Sequence, residues 1–325
     1  MALNTKYNGY VGFLKQAALG TPAVSTQFVK FLADVDMAPV QTIATYPVGG
    51  GGFYKSKAAK ELHEHNGKFS LEMEPQVGAM LLAYALGADA KSGAGPYTHV
   101  LTPARPLPYV TFERGLKTDI LAERIQDCKV NHLAIAGDAG KRVNLDVDFM
   151  GCRAVLQATT LSDTYETDRA FVFMDGAFTI FGGAFTRIQN FKLDLNNNCK
   201  AEQTVEVYPS YITDGELAVT LNFEIIYDDA DTNLADIFYG GGTTAAEAVA
   251  TGAITMDFVY GTGADEREFK FEIPSGGLVY QGMTDPAPGP TPDTHKNTIS
   301  CDVIKVAGSE LITATFEDNN DVDYV

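Results

Sequence analysis

Long stretches of the chain alternate between apolar and polar positions. In "LAVTLNFEI", Leu217, Val219, Leu221, Phe223 and Ile225 fall at every second position, the period of a strand with one buried face. "KFSLEM" repeats the pattern with Phe69, Leu71 and Met73, and "FTRIQNFKLDLNNN" alternates from Phe185 onward. "KVNHLAIAGDAGKRVNLDVDFMG" reads as a hairpin over residues 130–149, with a Gly-Asp-Ala-Gly turn and then Val143, Leu145, Val147 and Phe149 in alternation. Glycines on both sides of Asp138 supply the positive φ that such turns require.

Two runs depart from this period. "EPQVGAMLLAYALGADA" predicts a helix over residues 75–86 that stops at Gly87, with Val77, Met80, Leu81 and Tyr84 as the apolar face covering a sheet. "YDDADTNLADIFYGGG" predicts a second helix over residues 230–239. Asp228, Asp229 and Asp231 are its N-cap candidates, Leu234, Ile237 and Phe238 its core face, and glycines 240–242 its stop.

The order of elements then repeats. The first half runs strand (69–73), helix (75–86), strand (109–115), hairpin (130–149). The second runs strand (217–225), helix (230–239), strand (268–273), hairpin (299–316). This predicts a mainly β chain of two β-sandwich units, residues 1–160 and 161–325, each with a flanking helix. Residue identity between the halves is low, so the alternative is one larger domain whose elements look alike. Residues 45–67, the small polar stretch near Thr243 and the proline-rich residues 281–297 are expected to be exposed loops and contact surfaces.

Composition narrows the functional classes. Of 325 residues 45% are apolar and 10% aromatic, enough for a substantial core and against wholesale disorder. The net charge of −18 argues against sequence-reading nucleic-acid binding, which needs cations to neutralise phosphates. A negative wall is, however, what a duplex slides past without sticking. Cys128, Cys152, Cys199 and Cys301 show no C-x-x-C spacing and are expected to be free thiols of a protein assembled in a reducing cytoplasm. No signal peptide is read in "MALNTKYNGYVGF", and no run approaches the ~18 apolar residues of a membrane span. Trp is absent, which weighs against a sugar-binding platform.

Candidate chemistry is sparse. His63 and His65 could share an ion in an extended segment, but no third ligand has a fixed spacing, and two solvated imidazoles are the expectation. His132 is expected to be packed or hydrogen-bonded within a strand, and His99 and His295 are isolated. "VGGGGFYKSK" lacks the phosphate-loop spacing, and "DDADTN" lacks the glycine and terminal glutamate of a calcium loop. No G-x-S-x-G is present. The expectation is a non-enzyme without metal or cofactor.

The layout resembles the tail tube proteins of long-tailed bacteriophages. The residues that carry the resemblance are "ALGTPA" followed by "FVKFLADVDMAP" as a strand, "GKFSLEMEPQVGAMLLAYALGA", "YTHVLTPARPLPYVTFERG", and the central hairpin followed by "FVFMDGAFTIFGGAFTRIQNFKLDLNN". It covers nearly the whole chain and is one of order and short motifs. It implies β-sandwich units with a flanking helix, whose inner sheets join into a barrel within a ring, and rings that stack into a hollow tube in the virion tail. Two units per chain favour a trimeric, pseudo-six-fold ring over a hexamer. It further implies tape measure, tail terminator and distal tail proteins as partners, and double-stranded DNA that passes without specific binding.

On this reading the polar phases of the strands, Asp146, Asp148, Asp194, Asn222 and Glu224, are lumen candidates. The alternative is that they solvate the outer surface. Phe53, Tyr54, Lys55, Lys57 and Lys60 in one loop and Pro286, Pro288 and Pro290 in the other are ring-stacking candidates. A distal-tail ring or capsid decoration protein is the rival reading, and a secreted carbohydrate-binding or adhesin-like protein the third.

Overall fold

The computed structural model describes residues 9–32, 35–46, 55, 57–116, 121–180, 183–226, 250–283 and 296–325. The second expected helix, with Leu234, Ile237 and Phe238, and the stretch near Thr243 lie outside them.

β1 (Gly9–Lys15), β2 (Gln27–Phe28), β3 (Val40–Tyr46) and β4 (Lys57–Glu72) precede helix α1 (Pro75–Leu86). β5 (Gly87–Gly93), β6 (Tyr97–Pro103), β7 (Val110–Leu116), β8 (Leu121–Asp138), β9 (Asn144–Gly151) and β10 (Arg153–Leu156) follow. Next come β11 (Gly176–Ile180), β12 (Gly183–Ala184), β13 (Ile188–Asn196), β14 (Lys200–Gln203) and β15 (Pro209–Thr213). β16 (Ala218–Ile226), β17 (Thr251–Tyr260), β18 (Arg267–Met283), β19 (Lys296–Val303) and β20 (Thr313–Asp318) complete the order. The chain is mainly β, and its described pairings are antiparallel.

One continuous row of strands runs β4–β9–β8–β13–β16–β19–β18. Its register aligns Leu71, Leu145, Ile135, Leu193, Leu221 and Cys301 as one apolar rung across six strands. All six are buried, and burying each such leucine or isoleucine stabilises the fold by about 1.5–3 kcal/mol. A second row runs β5–β6–β20–β18–β17–β11, and a third joins β1, β7, β8 and β10.

The long strands β8 and β18 each serve two rows. β8 pairs with β7 and β10 through residues 121–128 and with β9 and β13 through residues 129–138. The change of partners falls at Asp127, whose φ of 57° bends the strand. β18 pairs with β20 before Pro274 and with β19 from Leu278, and Gly276 between them has a φ of 83°.

Helix α1 fills the space these rows enclose, touching β8, β6, β20 and β5. Pro75 opens it, where a missing N–H costs nothing, and Gly87 closes it in the left-handed region with φ 106°. Val77, Met80, Leu81 and Tyr84 are buried, and so are Leu82, Ala83, Ala85 and Leu86. The expected one-sided face is therefore corrected: the helix is surrounded, which is why its sequence is apolar all round.

Three further expectations are corrected. Residues 57–67, expected as loop, belong to β4: β3 pairs with residues 57–64, with a register shift between Thr42 and Ile43, and β9 pairs with residues 65–67. The described residues of 28–39 form no strand beyond β2; Phe31 and Asp36 make single bridges to Leu71 and Lys68. Residues 299–316 are not a hairpin: β19 pairs with β16 and β18, whereas β20 pairs with β18 and β6.

Candidate functional site

The face of the long row opposite the core is polar. The rung beside the apolar one is Ser70, Asp146, Ala134, Asp194, Thr220 and Asp302, in register across the same strands. The next rung brings together Lys68, Asp148, His132 and Asn196, and the one on the other side Asn144, Ala136, Lys192, Asn222 and Ser300. Glu224 pairs with Asn190 and Thr298. Strict alternation produces this segregation, because successive side chains of a strand point to opposite faces. Asp146, Asp148, Asp194, Asn222 and Glu224 thus share one face of one sheet, although they lie on three separate strands.

Carboxylates dominate that face: Asp138, Asp146, Asp148, Asp194, Glu224 and Asp302 against Lys68, Lys192 and Lys296. Contacts within and between strands tie some of them down. His132 Nε2 is hydrogen-bonded to Asp194 Oδ1 at 3.1 Å, and its Nδ1 lies 3.5 Å from Asp148 Oδ2, so the ring sits between two acids. Lys192 Nζ is 2.8 Å from Asp194 Oδ1, and Lys296 Nζ is 3.1 Å from Glu224 Oε1.

The β3–β4 hairpin is an arm carried by β4, which runs on from the long row. Val40 and Ile43 on it are 58% and 54% exposed. A groove of about 440 Å³ lined by Asp36, Val40, Asn66, Lys68, Asp148 and Met150 joins the foot of the arm to the polar face. The β14–β15 hairpin lies beside it: His63 N–H donates to the Val207 carbonyl at 3.0 Å, and the Tyr208 ring lies 5.5 Å and 6.1 Å from those of His63 and His65. The His63–His65 pair, with ring centroids 4.4 Å apart, is therefore part of an aromatic stack. Among the described residues no group of three His, Cys, Asp or Glu side chains is placed to hold a metal ion.

Of the ring-stacking candidates, Lys55 is exposed, and Lys57 and Lys60 lie within β4. Phe53, Tyr54, Pro286, Pro288 and Pro290 lie outside the described residues.

Burial pushes the Cys152, Cys199 and Cys301 thiols up to about 12, 11 and 12, far from the thiolate a nucleophile needs. On the second row Glu268 stands directly opposite Glu317, and burial together with Asp257 and Glu317 pushes Glu268 up to about 7.

Two constellations escaped sequence reasoning. Glu166 accepts the Gln76 and Val77 N–H groups at 2.9 Å and 3.0 Å, capping α1 from a segment far along the chain. His99, read as isolated, bonds Asp89 and Asn320. Glu166 and Asn320 lie too far along the chain from their partners to leave a local signal.

No described helix is long and apolar enough to cross a membrane. No curated protein matches the chain. A family model described as phage tail tube protein matches residues 7–323.

Proposed function

Because the chain belongs to the phage tail tube protein family, a structural component of the virion tail, we propose that it polymerises as stacked rings into a hollow tube whose lumen is lined by the polar face of the long row. DNA passes through this tube during ejection. The observation that carries the reading is the shared face of Asp146, Asp148, Asp194, Asn222 and Glu224. Its opposite face is occupied by the core and α1, so the polar face is the one free to line a water-filled channel. A carboxylate-rich wall repels phosphates and discourages adhesion.

The ring is a trimer of two-unit chains with pseudo-six-fold symmetry. In support, the order β4–β9–β8 on one side of β13 matches β16–β19–β18 on the other. In each case the strand before a helix comes first and the long two-row strand last, with the second helix that predicted over residues 230–239. The units are β-sandwiches, divided near residue 160. The β3–β4 arm, with Lys55 and exposed Val40 and Ile43, reaches the neighbouring ring, where its lysines meet an acidic surface. The tape measure, tail terminator and distal tail proteins meet the tube at its interior and ends, and assembly takes place in the host cytoplasm.

Electron microscopy of the purified protein tests the proposal. Tubes or stacked rings are the expected result. Closed single rings would indicate a distal-tail or decoration protein instead, and globular monomers at high concentration would overturn both.

A further inference from the structure

His99 is buried, and both of its ring nitrogens face acceptors. Nδ1 lies 2.9 Å from Asp89 Oδ2. Nε2 lies 3.1 Å from the carbonyl oxygen of Asn320 and 3.7 Å from Asp318 Oδ1. A neutral imidazole carries one N–H and one lone pair, so it can donate to only one of these sides. An imidazolium donates to both. The arrangement is therefore complete only when the ring holds two protons.

Around this ring the segment 319–325 is fastened down. The Tyr324 ring stacks on His99 with centroids 4.1 Å apart at 15°. Tyr324 donates its hydroxyl to Asp318 and its backbone N–H to Asp89 Oδ2 at 2.9 Å. Asn320 N–H donates to Asp318 Oδ1 at 2.7 Å, and Lys91 Nζ to the Asp321 carbonyl at 2.6 Å. The Asp89 and His99 side chains are 0% exposed, Asp318 is 1% exposed, and Tyr324 belongs to the main core.

We propose that residues 319–325 form a strap that the doubly protonated His99 fastens over β5, β6 and β20, and that loss of one ring proton releases it. The charged and titratable groups around the ring are Asp89 and Lys91 on β5, Asp318 on β20, Arg267 on β18, and Tyr324, Asp321 and Asp323 in the strap. Burial opposes the charge on His99, but the bonds to Asp89 and Asn320 and the charges of Asp89 and Asp318 outweigh it and hold its pKa above the ordinary value. A histidine raised in this way stabilises the fold at low pH, and that contribution is lost as pH rises through the folded value. Deprotonation leaves two buried carboxylates with no cation between them and sets a ring lone pair against an acceptor. The strap opens toward alkaline pH.

Hydrogen–deuterium exchange on the full chain, corrected for intrinsic rates, tests this. Between about pH 6 and about pH 9, a range that brackets histidine titration, peptide 319–325 should lose at least about tenfold protection while β13 peptides keep theirs. His99→Gln, which has a single amide donor group and no titration, should leave the strap open at both pH values. Equal protection of the wild-type strap at both pH values would overturn the proposal, as would a pH-dependent opening that persists in His99→Gln. Should that variant fail to fold, the wild-type pair together with the His99 ring proton chemical shifts decides: a ring neutral at about pH 6 contradicts the proposal.

Discussion

The carboxylate of Glu166 sits 3.0 Å from the backbone nitrogen of Val77, 89 residues away in the chain, and completes an N-terminus that the local sequence leaves open. The N-cap residue, Glu74, makes no side-chain cap bond; it pairs instead with Lys30, which also donates to the Glu166 carbonyl at 2.6 Å. Orphan N–H groups buried at a helix start must find an acceptor, and here it comes from the segment between β10 and β11.

Removing that acceptor should destabilise the whole fold, since α1 lies within the core. Glu166→Ala is expected to cost about 1–2 kcal/mol, the range of a lost cap, read as a lower urea midpoint with an unchanged slope.

The same group sets a pH dependence. Burial, reinforced by Glu74 and Asp168, pushes Glu166 from 4.5 up to about 7 against the two N–H bonds that favour its charged form. The folded state then binds more protons than the unfolded one between those values, so this contribution is present below 4.5 and lost as pH rises to about 7. Glu166→Gln cannot titrate. Melting curves of the two proteins should show wild type losing stability relative to the variant across that window; a constant difference would contradict the assignment.

Gly67 is a close-packing position on the apolar side of β4. A Cβ there would lie 2.5 Å from Phe149 Cζ and 2.8 Å from Met37 Cγ, and Phe149 cannot retreat because it stacks on Phe112 at 4.1 Å. Gly67→Val should cost about 1–3 kcal/mol, as overpacked cores do, measured by chemical denaturation.

The arm and the core separate in their effects. Ile43→Asp changes an exposed side chain and should leave the melting temperature within about 2 °C of wild type, yet polymerisation measured by light scattering should fall. Deleting residues 54–63 should abolish tubes altogether, although it also removes the His63–Tyr208 contact. Normal tubes from both variants would remove the arm from the account.

Legibility in the sequence followed the number of buried faces. β16 was readable because Val219, Leu221, Phe223 and Ile225 are buried and the residues between them are not. α1 was readable because proline and glycine mark its ends. The first part of β4 was not: in "KAAKELHE" the strand pairs with β3 as an arm beyond the long row, and no apolar alternation marks it. The partners of β20 were missed for another reason, because alternation reports a face and not a neighbour. The polar side chains of the lumen candidates could be phased strand by strand, but their gathering on one sheet depends on β8–β13 and β13–β16 pairings that no local pattern encodes.

The orientation of that sheet is readable in a high-resolution cryo-EM reconstruction of the polymer. The expected result is a tube built from three-fold rings, with Asp146 and Asp194 facing the lumen and α1 on the outer side of the sheet that carries them. A tube in which Asp146 and Asp194 face the outer surface would contradict it.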